Sequence, residues 1–543
     1  MNKTGLLKDN AVYQIYPISF KDSNDDGKGD LKGIISRLDY IADLGFKLVW
    51  LSPIYPSPMV DMGYDISDYK NINPLFGTMD DFDTLISEAD KRGIKIIMDL
   101  VINHTSSEHE WFKEAIKNPQ SKYRKYYYFR QGKGKDHRLP PNNWTNSFTG
   151  SAWTELKDEP GIFYLHLYSD KQPDLDFHNP EVLKEVEDIM NFWLDKGVYG
   201  FRCDVISEIY KESFEDGKKK SLTVPIGAEH FIATEGCHRI LKQIKKDVID
   251  KREDAVLIGE CYGITSKQGE SFLDDELNTI FNFDIAYANG FFSKSAKPKR
   301  FKETIIKWQK AVSYNGNYLE NHDQHRSVGK YVSSKNHPFE GSKMLMTMLY
   351  TLKGAAFIYM GQELGLTDYV SLKPEETHDI VSNFLYKYIG KFLPKKIAFK
   401  IARHFGRDDA RYPFPFSSLD GYGFTSKEIK PWQKYYERSS ELNVENAIKN
   451  PSSPLHYVKK LNEFRRAHLV LGRGDIKFFD TSNNILAYER NYDNERLIVI
   501  LNLSEKEIKL NKQLDIDINN LVLSNYDSHK EKLLPYEARV YQL

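Results

Sequence analysis

Cysteine is scarce in this chain, with only 3 among 543 residues: Cys203, Cys237 and Cys261. An odd, sparse count excludes a disulfide framework and fits a reducing compartment. Net charge is nearly absent as well, 76 basic side chains standing against 77 acidic. That balance gives no general electrostatic pull toward nucleic acid or an anionic membrane. No run approaches the roughly 18–20 uninterrupted apolar residues of a membrane span. The polar start, Met1–Asn10, runs into Ala11–Pro17 without a signal-type hydrophobic segment or a small-residue cleavage site. The expectation is a cytoplasmic monomer with neither a nucleic-acid nor a membrane partner. Internal repeats, low-complexity tracts and a Walker-type phosphate loop are missing too.

What is present is a globular composition, 40% apolar and 28% charged, with aromatics at 13%. Short β-type runs alternate with helical patterns. Val12–Tyr16, Leu48–Leu51, Ile94–Ile102, Gly200–Asp204, Ala255–Glu260, Thr279–Phe283, Tyr318–Leu319 and Ala356–Tyr359 read as strands. Leu31, Ile34, Ile35, Leu38, Ile41 and Ala42 recur at helical spacing. A second helix opens at Thr78, carries Phe82, Leu85, Ile86 and Ala89 on one side, and stops at Gly93. Strands buried on both faces and alternating with helices predict a parallel sheet, and eight of them predict closure into a (β/α)8 barrel. A doubly wound open sheet remains the alternative on pattern alone. Residues 105–174 are too long for a structureless loop and read as an inserted subdomain. The pattern becomes strand-only near 476, with strands at Asn484–Arg490, Arg496–Leu503, Glu507–Leu510 and Ala538–Leu543. The division is therefore a catalytic barrel from 1–104 and 175–475, the insertion 105–174, and an antiparallel β domain at 476–543.

A parallel barrel carries its chemistry at the carboxyl ends of its strands. Asp99–His104, Gly200–Asp204, Ile258–Glu260 and Glu320–Asp323 stand there. A lone acid after a strand is ordinarily a helix cap. Asp204, Glu260 and Asp323 at three strand ends, each beside Arg or His, are harder to explain that way. Carboxylates without a Cys/His metal set suit glycoside chemistry, where one acid protonates the leaving oxygen and another attacks the anomeric carbon. Carboxylate-bound Mg2+ for phosphoryl transfer is the alternative, and it would call for a phosphate-cradling glycine loop.

In order and spacing, Ala11–Pro17, Asp99–His104, Gln172–Asp176, Gly200–Asp204, Ile258–Glu260, Asn321–Asp323, Tyr359–Glu363 and Gly406–Arg411 resemble the α-amylase superfamily of retaining glycoside hydrolases. Within it the likeness is to the oligo-1,6-glucosidase/α-glucosidase group, over nearly the whole chain. The resemblance implies Asp204 as nucleophile, Glu260 as general acid/base and Asp323 as the acid that stabilises the distorted transition state. It implies that Arg202 orients Asp204, and that His104 and His322 donate to the innermost sugar. It also implies an exo mode: Asp61 grips the terminal glucose, Tyr64 stacks beneath it, and Arg411 pairs with Asp61 to close the floor. Phe148 supplies apolar wall, with plain packing an equal reading. Val205, directly after Asp204, goes in such enzymes with α-1,6 linkages, and the trehalose-6-phosphate hydrolases of the same group carry Val there too.

The loop Asp22–Asp30 resembles a shortened EF-hand-type loop. The family likeness implies structural Ca2+, or Mg2+, held by Asp22, Asn24, Asp26 and Asp30 with the Lys28 carbonyl; a polar turn is the reading without it. Two segments depart from the family: His322-Asp-Gln-His325-Arg326, where His325 stands in place of the family's Pro, and Tyr412–Phe416, which lacks the usual Gln and Trp. Both spare the innermost subsite and alter the leaving-group side. The functional expectation is a retaining exo-α-glucosidase acting on short oligosaccharides. Trehalose-6-phosphate hydrolysis, with the basic cluster Lys294, Lys297, Lys299 and Arg300 in mind, or sucrose activity is the enzymatic alternative. A transporter-associated subunit on the same fold is the non-enzymatic one. Cys203 and Cys261 read as small apolar filler.

Overall fold

Strands covered on both faces must be apolar throughout, and β1 (Val12–Ile15) and β2 (Leu48–Leu51) are buried at every residue. The computed structural model describes residues 5–543 apart from 149, 219–223, 289–296, 333–335, 370, 427, 511–513, 515 and 530. Lys294 of the basic cluster lies outside the described residues. After β3 (Lys95–Leu100), the insertion contributes β4 (Phe129–Gln131), β5 (Trp153–Glu155) and β6 (Ile162–Leu165). The chain then continues through β7 (Gly200–Cys203), β8 (Val256–Glu260), β9 (Thr279–Phe281), β10 (Asn315–Asn317) and β11 (Gly354–Tyr359). Eight of these close a parallel barrel in the order β1-β11-β10-β9-β8-β7-β3-β2. Its closure excludes the open doubly wound sheet. Trp50, Ile97, Val256, Ile258, Phe281 and Phe357 belong to one buried cluster formed largely by barrel strands.

Two sequence readings need correction. The seventh barrel strand is Asn315–Asn317, not Tyr318–Leu319. Asn-Gly-Asn has little β-propensity, and the strand is held by pairing with β11 and by the Asn315 amide on the Trp308 and Val312 carbonyls. The apolar stripe 31–42 forms two helical pieces, Leu31–Ile35 and Leu38–Asp43, broken at Ser36–Arg37. By contrast Met79–Lys91 starts with the full Thr78/Asp81 capping box and ends before Gly93, whose φ of +66° suits glycine.

The insertion is a three-stranded antiparallel sheet, β4-β6-β5, with a core of Tyr128, Trp144, Trp153 and Phe163. The tail comprises β12 (Asp475–Phe478), β13 (Ile485–Tyr492), β14 (Glu495–Asn502), β15 (Ile508–Lys509), β16 (Leu521–Ser524), β17 (Lys532–Leu533) and β18 (Ala538–Gln542). Five of them form the sheet β12-β13-β14-β18-β16. Among the described residues no helix is long and apolar enough to cross a membrane.

Candidate active site

Parallel register sets Asp99 on β3 opposite Arg202 on β7. Arg202 is fully buried, and its guanidinium gathers three acids: Nη1 donates to Asp99 (2.7 Å) and Asp204 (2.8 Å), and Nη2 lies 2.5 Å from Glu260. Trp50 Nε1 and the Tyr64 hydroxyl donate to the other Asp99 oxygen. One buried cation faces three carboxylates, an imbalance that disfavours their full ionisation. Burial pushes Asp204 well above the ordinary carboxylate range against the pull of Arg202, and Glu260 and Asp99 push it further. Asp204 and Glu260 stand within hydrogen-bond reach of each other. That is closer than the roughly 6.5–9.5 Å that leaves room for an attacking water in inverting enzymes.

Val205 follows Asp204 with φ +36°, a left-handed conformation that a β-branched residue rarely adopts. The turn aims the Val205 N–H at Glu260 Oε2, 3.1 Å away. Strain of about 1–3 kcal/mol is held at such positions by the surrounding structure. Asp323 stands on the other side of the site. Burial would raise it, but His322, Arg407 and Arg411 outweigh burial and hold it well below its usual value, so it stays ionised. Its contacts are Arg411 Nη2 at 2.6 Å, His322 Nε2 at 3.1 Å and Arg407 Nη1 at 3.4 Å.

The ring of His322 stacks on Tyr64 (centroids 5.2 Å, planes 3° apart), and its Nδ1 meets Gln14 Nε2 at 2.8 Å. His104 is buried beside Gln172, which also donates to Asp61 and to the Tyr64 carbonyl. Phe148 is half-buried edge-on to Tyr168 (5.7 Å), whose ring in turn meets His104 (5.4 Å). Asp61, Tyr64, His104, Arg202, Asp204, Glu260, His322, Asp323 and Arg411 are thus linked in one contiguous network, with Phe148 at its margin.

One pairing differs from the expectation. Asp61 is joined to Arg407 (2.7 Å), not to Arg411, which is spent on Asp323 and the His322 carbonyl. The 3-10 turn Asp408–Ala410 separates the two arginines and sends them to different acids. Asp379 fixes Arg407 from behind at 2.5 Å. Arg407, Asp379, Gln172 and Asp99 are the participants that sequence reasoning did not single out, although Arg407, Gln172 and Asp99 stood inside its motifs.

In the Asp22–Asp30 loop, Asp22 is buried and accepts from the Asn24, Asp25 and Gly27 N–H groups and from the Thr425 hydroxyl. Asp30 caps the helix Leu31–Ile35. Among the described residues the one trio of His, Cys or acid ligand atoms close enough to share an ion lies elsewhere, at His325, Asp368 and Asp409.

The family description "Alpha amylase, catalytic domain" matches residues 14–474. Oligo-1,6-glucosidase of Parageobacillus thermoglucosidasius is 41% identical across 99% of this chain and 98% of the relative. Glucan 1,6-alpha-glucosidase of Streptococcus pneumoniae is 35% identical, covering 98% of each. Among solved structures, trehalose-6-phosphate hydrolase of Bacillus licheniformis superposes with a TM-score of 0.91 at 35% identity, covering 99% of each chain. Isomaltulose synthase of Klebsiella sp. LX3 gives 0.92 at 33%, again covering 99% of each. A barrel with its acids gathered at the strand ends, and relatives aligned over its full length, make this chain a member of the alpha-amylase family of glycoside hydrolases.

Proposed function

We propose that the protein is a retaining, exo-acting α-glucosidase that removes terminal glucose from short oligosaccharides, with α-1,6 bonds preferred. The observation that carries this is Arg202 holding Asp204 and Glu260 within reach of each other, in one network with the Asp61–Arg407 ion pair. Asp204 attacks the anomeric carbon while Glu260 gives its proton to the departing oxygen. The covalent glucosyl-enzyme then reacts with water, from which Glu260 takes a proton. Asp323, kept ionised by His322, Arg407 and Arg411, faces the positive charge that develops on the sugar. The Asp61–Arg407 pair recognises hydroxyls of a chain end. The α-1,6 preference draws on Val205 and on the names of the relatives.

The test is release of glucose from 4-nitrophenyl α-glucoside, followed by isomaltose, maltose, sucrose, trehalose and trehalose-6-phosphate. Isomaltose should be the best natural substrate of the five, and a lead for trehalose-6-phosphate would overturn the linkage reading. Asp204→Ala and Glu260→Gln should each abolish turnover in folded protein. Azide should return activity to Asp204→Gly with β-glucosyl azide as product.

The loop Asp22–Asp30 is proposed to hold Ca2+, or Mg2+. Its donors are all hard oxygens, from Asp22, Asn24, Asp26, Asp30 and the Lys28 carbonyl, which suits such an ion. Its role would be structural, fastening the loop whose Gly27 carbonyl accepts from the Trp432 N–H. Chelation should lower the melting temperature, and Asp22→Ala should remove that response. A cytoplasmic location is proposed from the three unpaired, buried cysteines.

A further inference from the structure

Between Asp379 and Asp408 the sequence has no acidic residue, yet it carries Lys387, Lys391, Lys395, Lys396 and Lys400 besides two arginines. A chain of net charge −1 thus contains one strongly cationic segment. It folds as a helical hairpin, Ile380–Ile389 and Lys395–His404, projecting from the region after β11. All five lysines are exposed, and none has an ion-pair partner among the described residues.

The hairpin leaves part of its apolar surface outside. Ser382, Ala398 and Ala402 are its buried side chains, so small residues let the two helices approach each other. Leu385, Tyr386, Ile389, Phe399 and Ile401 are half-buried, with Tyr386 edge-on to Phe399, but five large apolar side chains point to water: Phe392 is 73% exposed, Tyr388 55% and Ile397 50%, with Phe384 and Leu393 also exposed. These are five of the sixteen large exposed apolar side chains among the described residues, confined to one short element. Such clustering marks an interaction surface rather than scattered surface residues. Phe384, Lys387 and Tyr388 on the first helix follow i, i+3, i+4, so a cation and two aromatics share one face, and Lys391 lies just past its end. Every residue from 391 to 397 is exposed, which makes the turn the outermost part.

We propose that this hairpin docks on the surface of an anionic phospholipid bilayer, with Phe392, Leu393 and Ile397 entering the headgroup region and the lysines meeting the lipid charge. Apolar side chains at a tip, ringed by flexible lysines, fit an interface that is anionic outside and apolar beneath. A second copy of the chain fits poorly, because the same cations would face each other. Nucleic acid fits less well: Phe384, Tyr388 and Phe392 offer stacking faces, but Leu393 and Ile397 at the outer turn can neither stack on bases nor hydrogen-bond to them. Peripheral docking needs no membrane-crossing helix.

The experiment is co-sedimentation of the full chain with vesicles of phosphatidylcholine alone and of phosphatidylcholine with phosphatidylglycerol, at low and high salt. Binding should be about tenfold or more stronger to the anionic vesicles and should fall with salt. Phe392→Ser with Leu393→Ser should weaken it without changing charge. Lys391→Glu with Lys395→Glu should abolish it. Nitrophenyl glucoside hydrolysis should stay at the parent level in both, showing that they fold. Equal or absent binding to both vesicle types would overturn the proposal. So would variants that bind like the parent, or retention of binding until Lys297 and Lys299 are changed instead. Self-association in light scattering that Phe392→Ser abolishes would replace the membrane with a second copy.

Discussion

Arg202 and Arg490 are both wholly buried, yet they sit in opposite kinds of surroundings. Arg202, at the carboxyl ends of the barrel strands, touches Asp99, Asp204 and Glu260. Arg490, on β13 of the tail, forms no ion pair with a carboxylate among the described residues. Its guanidinium donates to the carbonyls of Thr351 (2.5 Å), Val470 (3.0 Å), Gly474 (2.8 Å) and Asp475 (3.1 Å). Arg465 beside it does the same with Tyr350, Lys8 and Gly354. Carbonyl partners leave a cation little to do except tie segments together. Carboxylate partners make it part of a titrating group. The partner, not burial or residue type, separates a staple from a piece of chemistry.

Exchanging each arginine for methionine is the hardest test of that distinction. Arg202→Met leaves three buried carboxylates without a cation, and kcat/KM should fall by about 10³-fold or more, beyond the loss of a single acid–base interaction at the low end of its range. Arg490→Met strands several buried carbonyls at about 1–3 kcal/mol each. Urea unfolding should show a loss of about 3 kcal/mol or more, with turnover per folded molecule within about twofold of the parent. A folded Arg490→Met protein that cannot turn over substrate would break the comparison.

The same contrast explains what could be read from the sequence. Asp204, Glu260 and Asp323 were legible because strand ends are fixed by short, apolar, fully buried runs, and the acids follow them directly. The barrel was legible for the same reason. Arg407 was not assigned, because it and Arg411 lie four residues apart on an irregular turn, and only the path of residues 408–410 decides which one reaches Asp61. The strand Asn315–Asn317 was missed because its cohesion comes from amide–carbonyl bonds rather than apolar alternation. In the tail, β12 is four residues long with none buried and β17 only two, which leaves little pattern to find.

His325 lies between these two kinds of site. Its imidazole meets Asp368 at 3.0 Å and Asp409 at 3.4 Å, and its other nitrogen meets the His404 carbonyl at 3.1 Å. Burial opposes its charge, but the two acids outweigh burial and raise it to about 10. A His raised on folding stabilises fully below its unfolded value near 6.5, and the contribution drains away as pH climbs to about 10. Melts across that window should lose about 1–3 kcal/mol in the parent protein, each unit of gap being worth about 1.4 kcal/mol at most. His325→Gln should flatten the curve. An unchanged slope would mean that the pair of acids, not the imidazolium, holds this corner.

Asp204 has the opposite consequence. Burial and its acidic neighbours make the folded state hold the Asp204 proton more tightly than the unfolded chain does. Its contribution is therefore full below the ordinary carboxylate value near 4 and is lost as pH rises through the elevated folded value. At neutral pH the ionised group weighs against folding, so Asp204→Asn should be inactive yet more stable, by on the order of 1 kcal/mol. The gain should shrink toward pH 4. A less stable Asp204→Asn protein would show that Arg202 needs this partner as a structural one.

The smallest effect belongs to the thiols. Cys203 adjoins Asp204 and Cys261 follows Glu260, but both are buried and unpaired. Burial raises each thiol, and the neighbouring carboxylates Asp99 and Asp204 for Cys203, and Glu260 for Cys261, raise it further. A nucleophilic or regulatory cysteine needs the reverse, exposure and a nearby cation. Arg202 is near Cys203 and pulls the other way, but burial dominates. Cys203 therefore behaves as a small apolar filler on the helix-facing side of β7, opposite in direction to Arg202 and Asp204 along the pleat. Cys203→Ala should cost roughly 1 kcal/mol or less through a small cavity and leave kcat untouched. Thiol reagents should inactivate slowly, at the rate at which the barrel opens rather than the rate at which a site is found. Rapid inactivation that substrate prevents, and that Cys261→Ser leaves in place, would mean that a thiol beside these carboxylates is reactive after all and that the partner rule drawn from the two arginines does not extend to cysteine.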